Sequence, residues 1–258
     1  MTAVANDTWQ MTLRHLRALM RQPVWIFVTL VQPVIWLLLF GALFDKVTEI
    51  PGFNSGNYID YLAPGVVVMT AFFSGSWSGM GVITDIKGGV LDRFLTSPVN
   101  RSALLTGRVA VQALTILVQA LIIIVVSWLM GAHFPGGSAG LVLLVLAAVL
   151  IGCAVSQLSL ALALVTRQEE SLIGASQMII VPASFLSSTF MATDLAPGWI
   201  RAIAHWNPVD WAVVAGREGL AAAPDWALVW SRLGWLAVFT VLCAVLATRA
   251  FGAYQRSV

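Results

Sequence analysis

The sequence predicts an all-α membrane protein, a polytopic bundle of six transmembrane helices. Hydrophobic residues make up 59% of the 258 residues and charged residues 10%, against roughly 25% charged in an ordinary globular domain. A surface with so few charges requires lipid to cover it. Apolar runs also recur at the length of a membrane-crossing helix, and Lys and Arg are divided unevenly between the intervening loops.

The six spans follow from length and hydropathy, because a helix that crosses the hydrocarbon needs about 20 mostly apolar residues. We expect one membrane domain over residues 1–258. In chain order the predicted spans run from about Val24 to Phe44, Tyr61 to Ile83, Val109 to Met130, Gly140 to Val165, Ser171 to Phe190 and Leu228 to Thr248.

The basic residues predict the orientation, since cytoplasmic loops are enriched in Lys and Arg. With the N-terminus inside, both termini are cytoplasmic. The cytoplasmic side then holds Arg14, Arg17, Arg21, Lys87, Arg93, Arg101, Arg108, Arg167, Arg249 and Arg256. The opposite side holds Lys46, Arg201, Arg217 and Arg232.

Residues 1–22 are predicted to form an amphipathic helix that lies in the membrane interface before the first span. Apolar side chains fall on one face and arginines on another, which suits acyl chains and phosphates respectively. This helix is either a simple anchor or an element that touches a cytoplasmic partner. The apolar face is Trp9, Leu13, Leu16 and Met20, and the basic residues are Arg14, Arg17 and Arg21.

The predicted spans lack the groups that would supply energy or chemistry. Ionisable residues at mid-depth mark proton relays, ion paths or catalysis, and the six cores contain none. Neither lysine stands in a P-loop, and no metal or nucleophile motif occurs. Cys153 and Cys243 read as small hydrophobic residues. We therefore expect no enzyme activity, no metal and no cofactor in this chain, and a net charge of +2 gives no indication of nucleic acid binding.

Small and amide residues predict close helix packing. Ala71, Gly75 and Gly79 recur every four residues in the second span, so another helix can approach closely, from this chain or from a second copy. Gln112 and Gln119 share a face of the third span. They are helix–helix hydrogen-bonding groups or, alternatively, part of the lining of a substrate path.

The cytoplasmic loop 84–101 is predicted to contain a short amphipathic helix, which ends before Pro98. Its charges are of both signs, which favours a protein partner over lipid headgroups. The apolar stripe is Ile86, Val90, Leu91, Phe94 and Leu95, and the polar side carries Lys87, Asp92 and Arg93.

This loop resembles that of the type-2 exporter permeases of ABC transporters, particularly the daunorubicin-resistance type. The matching positions in the loop are Asp85, Gly88, Leu91-Asp92-Arg93-Phe94, Pro98, Arg101 and Gly107-Arg108. A second match follows the fifth span, with Ser188 where a glycine is common and Ala192-Thr193-Asp194 in place of a proline. It consists of Phe185-Leu186-Ser187-Ser188, Pro197-Gly198-Trp199-Ile200, Asn207-Pro208 and Arg217.

The resemblance implies that the loop helix is a coupling helix, docked into one of two separate ATPase subunits that bind ATP and Mg²⁺. Val90, Leu91 and Phe94 would be apolar contacts and Arg93 a polar one, with Asp85 and Gly88 at the entry. It further implies short re-entrant helices within residues 191–229, the segment that carries four of the tryptophans. It implies a dimer of this chain or of two related chains in the inner membrane.

A substrate path is implied where spans two and five meet in that dimer. An apolar, uncharged path suits an amphipathic drug or a lipid. The alternatives are a polysaccharide or glycolipid exporter of the same architecture, a membrane-embedded lipid-modifying enzyme, and an assembly subunit without a coupling helix. The candidate lining is Met69, Phe72, Phe73 and Trp77 from span two, with Met178, Ser184 and Phe185 from span five.

Overall fold

The structure is a computed structural model that describes residues 23–44, 57–90, 101–190 and 196–256, without the side chains of residues 23–30 and 101–105. Its principal elements are helices, and the described ranges contain no strand, which confirms the predicted all-α class. The predicted interfacial helix over residues 1–22 lies outside these ranges. The helices are α1 (Pro23–Leu43), α2 (Tyr58–Trp77), α3 (Met80–Lys87), α4 (Arg101–Leu129), α5 (Gly137–Thr166), α6 (Glu169–Phe185), α7 (Gly198–His205), α8 (Pro208–Leu220) and α9 (Trp226–Gln255).

Four helical stretches of the described part are long and apolar enough to cross a membrane, and they coincide with predicted spans two, three, four and six. Helix α1 occupies the predicted first span, and its described apolar stretch is Val31–Leu43. Helix α6 occupies the predicted fifth span with 17 residues. The count of six therefore stays a prediction. The four stretches are Tyr58–Lys87, Thr106–Leu129, Gly137–Thr166 and Trp226–Gln255.

Two helices end at residues other than the predicted span boundaries. The helix of the second span continues beyond Ile83 as α3 to Lys87, after an interruption at Ser78 and Gly79, so the boundary near Ile83 stays a prediction. The fifth span does not continue to Phe190. Helix α6 ends at Phe185, because the backbone after it turns and bonds to side chains of other helices.

Helix α5 is the centre of the bundle, with α2, α4, α8 and α9 packed around it. The approach of α2 is especially close. A Cβ atom built on Gly75 would overlap the carbonyl oxygen of Gly152, and one built on Gly79 would lie 2.5 Å from the carbonyl oxygen of Ser159. The helix that meets the small residues of span two therefore belongs to this chain.

The described side chains form two separate hydrophobic clusters. The large core contains Leu62, Leu144 and Leu236, and the small core contains Val82, Leu160 and Phe251. Polar residues separate the clusters along both α2 and α5. We call this set the serine layer; it consists of Ser76, Ser78, Ser156 and Ser159, with Gly79 beside them.

Aromatic rings attach α1 to the rest of the large core. Trp36 stacks on Phe40 with ring centroids 4.9 Å apart, and Phe40 stacks on Phe190 at 5.1 Å. Phe44 lies 5.7 Å from Tyr58 of α2. Such ring pairs add about 0.5–1.5 kcal/mol each beyond the area that they bury.

The close approach of α2 and α5 leads to a stability prediction. We expect Gly75→Ala to lower the free energy of unfolding by about 1–3 kcal/mol, because the added methyl pushes α2 away from the Gly152 carbonyl. Gly234→Ala in α9 is the matched control, since the place that its Cβ would occupy has no described atom within 4 Å apart from its chain neighbours and the backbone of its own helix. Thermal unfolding of the purified protein measures both. Equal stability of the two variants would contradict the packing described.

Candidate functional site

The base of loop 84–101 is tied to two other helices. Asp85 of α3 forms an ion pair with Arg108 of α4, and their side chains are 20% and 18% exposed. Lys87 Nζ lies 2.8 Å from Glu169 Oε1 at the start of α6. Because this second pair is more exposed, with 59% and 37% of the side chains accessible, it contributes less than the first to stability. Together the pairs join the loop to spans three and five.

The predicted loop helix is wrong at its beginning. Helix α3 ends at Lys87, and Gly88 and Gly89 form a turn in which Gly89 has φ of 63°. This left-handed conformation suits glycine and interrupts a helix. Ile86 therefore belongs to the preceding helix, where it packs against the small core. A new helical residue appears only at Val90.

The remaining coupling-helix residues stay predictions. Leu91, Asp92, Arg93, Phe94 and Pro98 lie outside the described residues. Arg101 begins α4, and its side chain also lies outside the description.

The predicted path residues fall into distinct environments. Phe72 is 4% exposed and packs inside the large core. On α6, Met178 is 80% exposed and Phe185 63%, whereas Ser184 is buried. Helix α6 buries only one stripe, which consists of Leu172, Ser176, Ile180 and Ser184. Met69, Phe73 and Trp77 of α2 are half-buried.

The predicted packing amides also differ from one another. Gln112 donates from Nε2 to the Ser74 hydroxyl at 3.0 Å, which joins α4 to α2. Gln119 is 5% exposed, and its Oε1 has no hydrogen-bond partner among the described residues. Ala71 lies in the large core against α5, where its carbonyl oxygen faces Gly152.

A polar cluster that the sequence reasoning missed surrounds the turn after α6. Asp210 accepts a hydrogen bond from the Ser188 N–H at 2.8 Å, and Arg217 donates to the Ser188 carbonyl at 3.0 Å. Both side chains come from α8, where they are seven residues apart and so share one helix face. The sequence analysis placed Arg217 on the side opposite the cytoplasm, without naming a partner for it. In the structure it is part-buried in the bundle.

Helix α2 contacts the same turn from the other side. The Tyr61 hydroxyl also donates to the Ser188 carbonyl, at 2.9 Å, and the Tyr58 hydroxyl donates to the Phe190 carbonyl at 3.0 Å. The guanidinium of Arg217 lies 3.6 Å from the centre of the Tyr61 ring, a cation–π contact. It also donates to the Tyr61 carbonyl at 3.1 Å.

Asn207 connects α8 with the end of α6. Its Oδ1 accepts from the Val209 N–H at 3.0 Å, which caps α8, and Pro208 occupies the first helical position. Its Nδ2 donates to the carbonyls of Ala183 and Leu186, at 2.7 and 2.9 Å. The Asn-Pro pair and the spacing of Asp210 and Arg217 are the sequence signals that could have revealed this cluster.

Ser188 fits the turn without a glycine. Arg167 is the non-glycine residue with a positive φ in the described part, so the backbone at Ser188 does not need glycine's conformational freedom. Residues 192–194, the other departure from the family pattern, lie outside the description. In the described part of the predicted re-entrant segment, residues 196–229, the structure has the short helices α7 and α8 and the beginning of α9. Trp211 is buried there, and Trp199 and Trp206 are exposed.

Comparison with known proteins supplies the family. The ABC-2 type transporter family matches residues 6–221. A protein named daunorubicin resistance ABC transporter permease protein, from Streptomyces coeruleorubidus, is 33% identical over 243 residues, which cover 90% of this chain and 83% of that protein. One from Mycobacterium tuberculosis, named "Probable doxorubicin resistance ABC transporter permease protein", is 23% identical over 239 residues, which cover 93% and 86% respectively.

The cluster on α8 gives a second stability prediction. We expect Arg217→Met to lower the free energy of unfolding by roughly 1.5–3 kcal/mol, the usual contribution of a hydrogen bond to a charged group. Arg201→Met in α7 is the matched control, because Arg201 is exposed. Denaturation of both purified variants is the measurement. A loss of stability in Arg201→Met as large as that in Arg217→Met would count against the assignment.

Proposed function

We propose that this chain, which belongs to the ABC-2 type transporter family and is a permease subunit of an ABC transporter, exports an amphipathic drug or lipid-like substrate across the inner membrane. Two separate ATPase subunits bind ATP and Mg²⁺ and drive the transport. A second copy or a related chain completes the membrane part. Both termini are cytoplasmic.

The observation that carries the coupling proposal is the double attachment of the loop base. A coupling element must transmit force to the spans, and Asp85–Arg108 and Lys87–Glu169 connect this loop to α4 and α6. In our proposal Leu91, Asp92, Arg93 and Phe94 dock into the ATPase.

The exposed face of α6 supports an apolar substrate. Met178, Ile179 and Phe185 are each more than half exposed and carry no charge. In our proposal they face the path that this chain and its partner permease form together. The name of the daunorubicin resistance relative describes that protein alone, and it supports the proposal of a drug as the substrate of this chain. A highly charged polymer would find no complementary charge on this face.

The test is co-purification followed by transport. We expect an ATPase subunit encoded beside this chain to co-purify with it, and daunorubicin to stimulate ATP hydrolysis by the complex in proteoliposomes. Stimulation by a lipid-linked glycan instead would support the glycan exporter of the same architecture. Failure of any ATPase to co-purify would contradict the coupled permease.

Charge reversal tests the loop base. We expect Asp85→Arg or Arg108→Asp alone to reduce ATP-driven transport several-fold, because two like charges then face each other in a part-buried place. The double variant restores the pair and recovers most of the rate. Transport in proteoliposomes and the ATPase rate are measured together. Unchanged transport by both single variants would contradict the role of this pair.

Polar substitution tests the path. We expect Met178→Gln to change the relative transport of apolar and polar substrates, because the side chain faces the substrate. Leu242→Gln in α9 is the control, since Leu242 is also exposed, at 57%. Export of a series of dyes of graded polarity is the measurement. The same change of profile in both variants would show that only contact with lipid was altered.

A further inference from the structure

The second span contains a joint at the serine layer. Ser78 and Gly79 have ψ angles of −26° and −23°, which are typical of a 3₁₀-helix rather than an α-helix. The Ser78 N–H donates to the Gly75 carbonyl, three residues back, at 3.1 Å. A short 3₁₀ stretch within a long helix is typical of a hinge or of local strain.

The hydroxyl of Ser159 occupies the interruption. It donates to the Ser76 carbonyl at 2.6 Å and accepts from the Gly79 N–H at 3.1 Å. In an uninterrupted α-helix the Gly79 N–H would donate four residues back instead. A side chain inserted into this hydrogen-bond ladder is a recognised cause of a kink. Beside it, the Ser156 and Ser78 hydroxyls are 2.7 Å apart.

The joint separates two differently attached parts of span two. Helix α2 packs in the large core, and α3 packs in the small core. Through Lys87 and Asp85, α3 is also attached to α6 and α4. A displacement of loop 84–101 therefore reaches α3 directly, and within span two it passes from α3 to α2 through Ser78 and Gly79.

We propose that Ser159 is a positioning residue for transport, whose hydroxyl holds a joint at which α3 turns relative to α2. This inference rests on the proposed coupling of loop 84–101 to an ATPase. The hydroxyl keeps the two free backbone groups bonded while the angle between the helices changes. Glycine at position 79 leaves the space that α5 needs for this contact.

Ser159→Ala is the primary test, and Ser127→Ala is its matched control. Ser127 is also buried in a span, and its hydroxyl donates to the Ile123 carbonyl of its own helix at 2.7 Å. We expect Ser159→Ala to speed hydrogen exchange in peptides covering residues 76–84. It should also lower ATP-driven transport roughly tenfold at an unchanged basal ATPase rate, as the loss of two buried hydrogen bonds implies. Ser127→Ala should change neither.

Either of two results would overturn the proposal. In the first, the Ser159→Ala variant has the hydrogen-exchange rate and the transport rate of the wild type. In the second, Ser127→Ala lowers transport as much as Ser159→Ala does. The exchange measurement needs no ATPase subunit. It therefore tests whether the joint exists even if the wild-type chain shows no ATP-driven transport. That absence of transport would contradict the proposed function and not the joint.

A reversible lock tests the movement itself, in a background with Cys153→Ala and Cys243→Ala. Ser78→Cys with Ser156→Cys places a disulfide between the joint and α5, and we expect oxidation to stop transport and reduction to restore it. Gly41→Cys with Ile59→Cys locks α1 to α2 on the large-core side, where a Cβ on Gly41 lies 3.4 Å from Ile59 Cγ1. Transport should survive this lock. Transport that persists with the joint locked, or is lost with both locks, would overturn the proposal.

Discussion

The close contact between α2 and α5 is the constraint on which the rest of the bundle depends. Gly75, Gly79 and Gly152 bring the two backbones together, and helices α1, α4, α6, α8 and α9 pack on one or both of them. In lipid such contacts supply the packing energy, because the surrounding chains are as apolar as the side chains themselves. Replacing these glycines would therefore separate the helices that carry both cores and the serine layer.

Most of the polar side chains inside this bundle form hydrogen bonds with backbone groups. Non-helical backbone at membrane depth is tolerated only where protein groups bond to it. Ser159 bonds to the backbone at the interruption of span two. Asn207, Asp210 and Arg217 do the same for the turn that ends α6. The polar residues of the two regions thus have a common physical role, although one set is uncharged and the other contains an acid and a base.

Hydropathy predicted the helices well because the membrane imposes length and apolarity on each span separately. The Ala71–Gly79 spacing likewise predicted close packing, although the partner helix was left open. The Gly88–Gly89 pair that separates Ile86 from the following helix is a local signal, which the apolar stripe of the loop outweighed in the prediction. The end of α6 at Phe185 could not be predicted, because side chains distant in the chain bond to the backbone that follows it. The partners of Arg217 were unpredictable for the same reason: Tyr61 and Ser188 lie 156 and 29 residues away from it in the chain. Most of loop 84–101 stays a prediction.

Helix α8 has a consequence for the order in which the chain assembles. Its 13 residues extend about 20 Å, too short for a hydrocarbon layer of about 30 Å. Asp210 and Arg217 also make its separate transfer into lipid unfavourable. Among the described residues, both charges have hydrogen-bond partners in the turn after α6, and Arg217 has one in α2 as well. During biosynthesis α8 therefore depends on the earlier helices for a stable place in the bilayer.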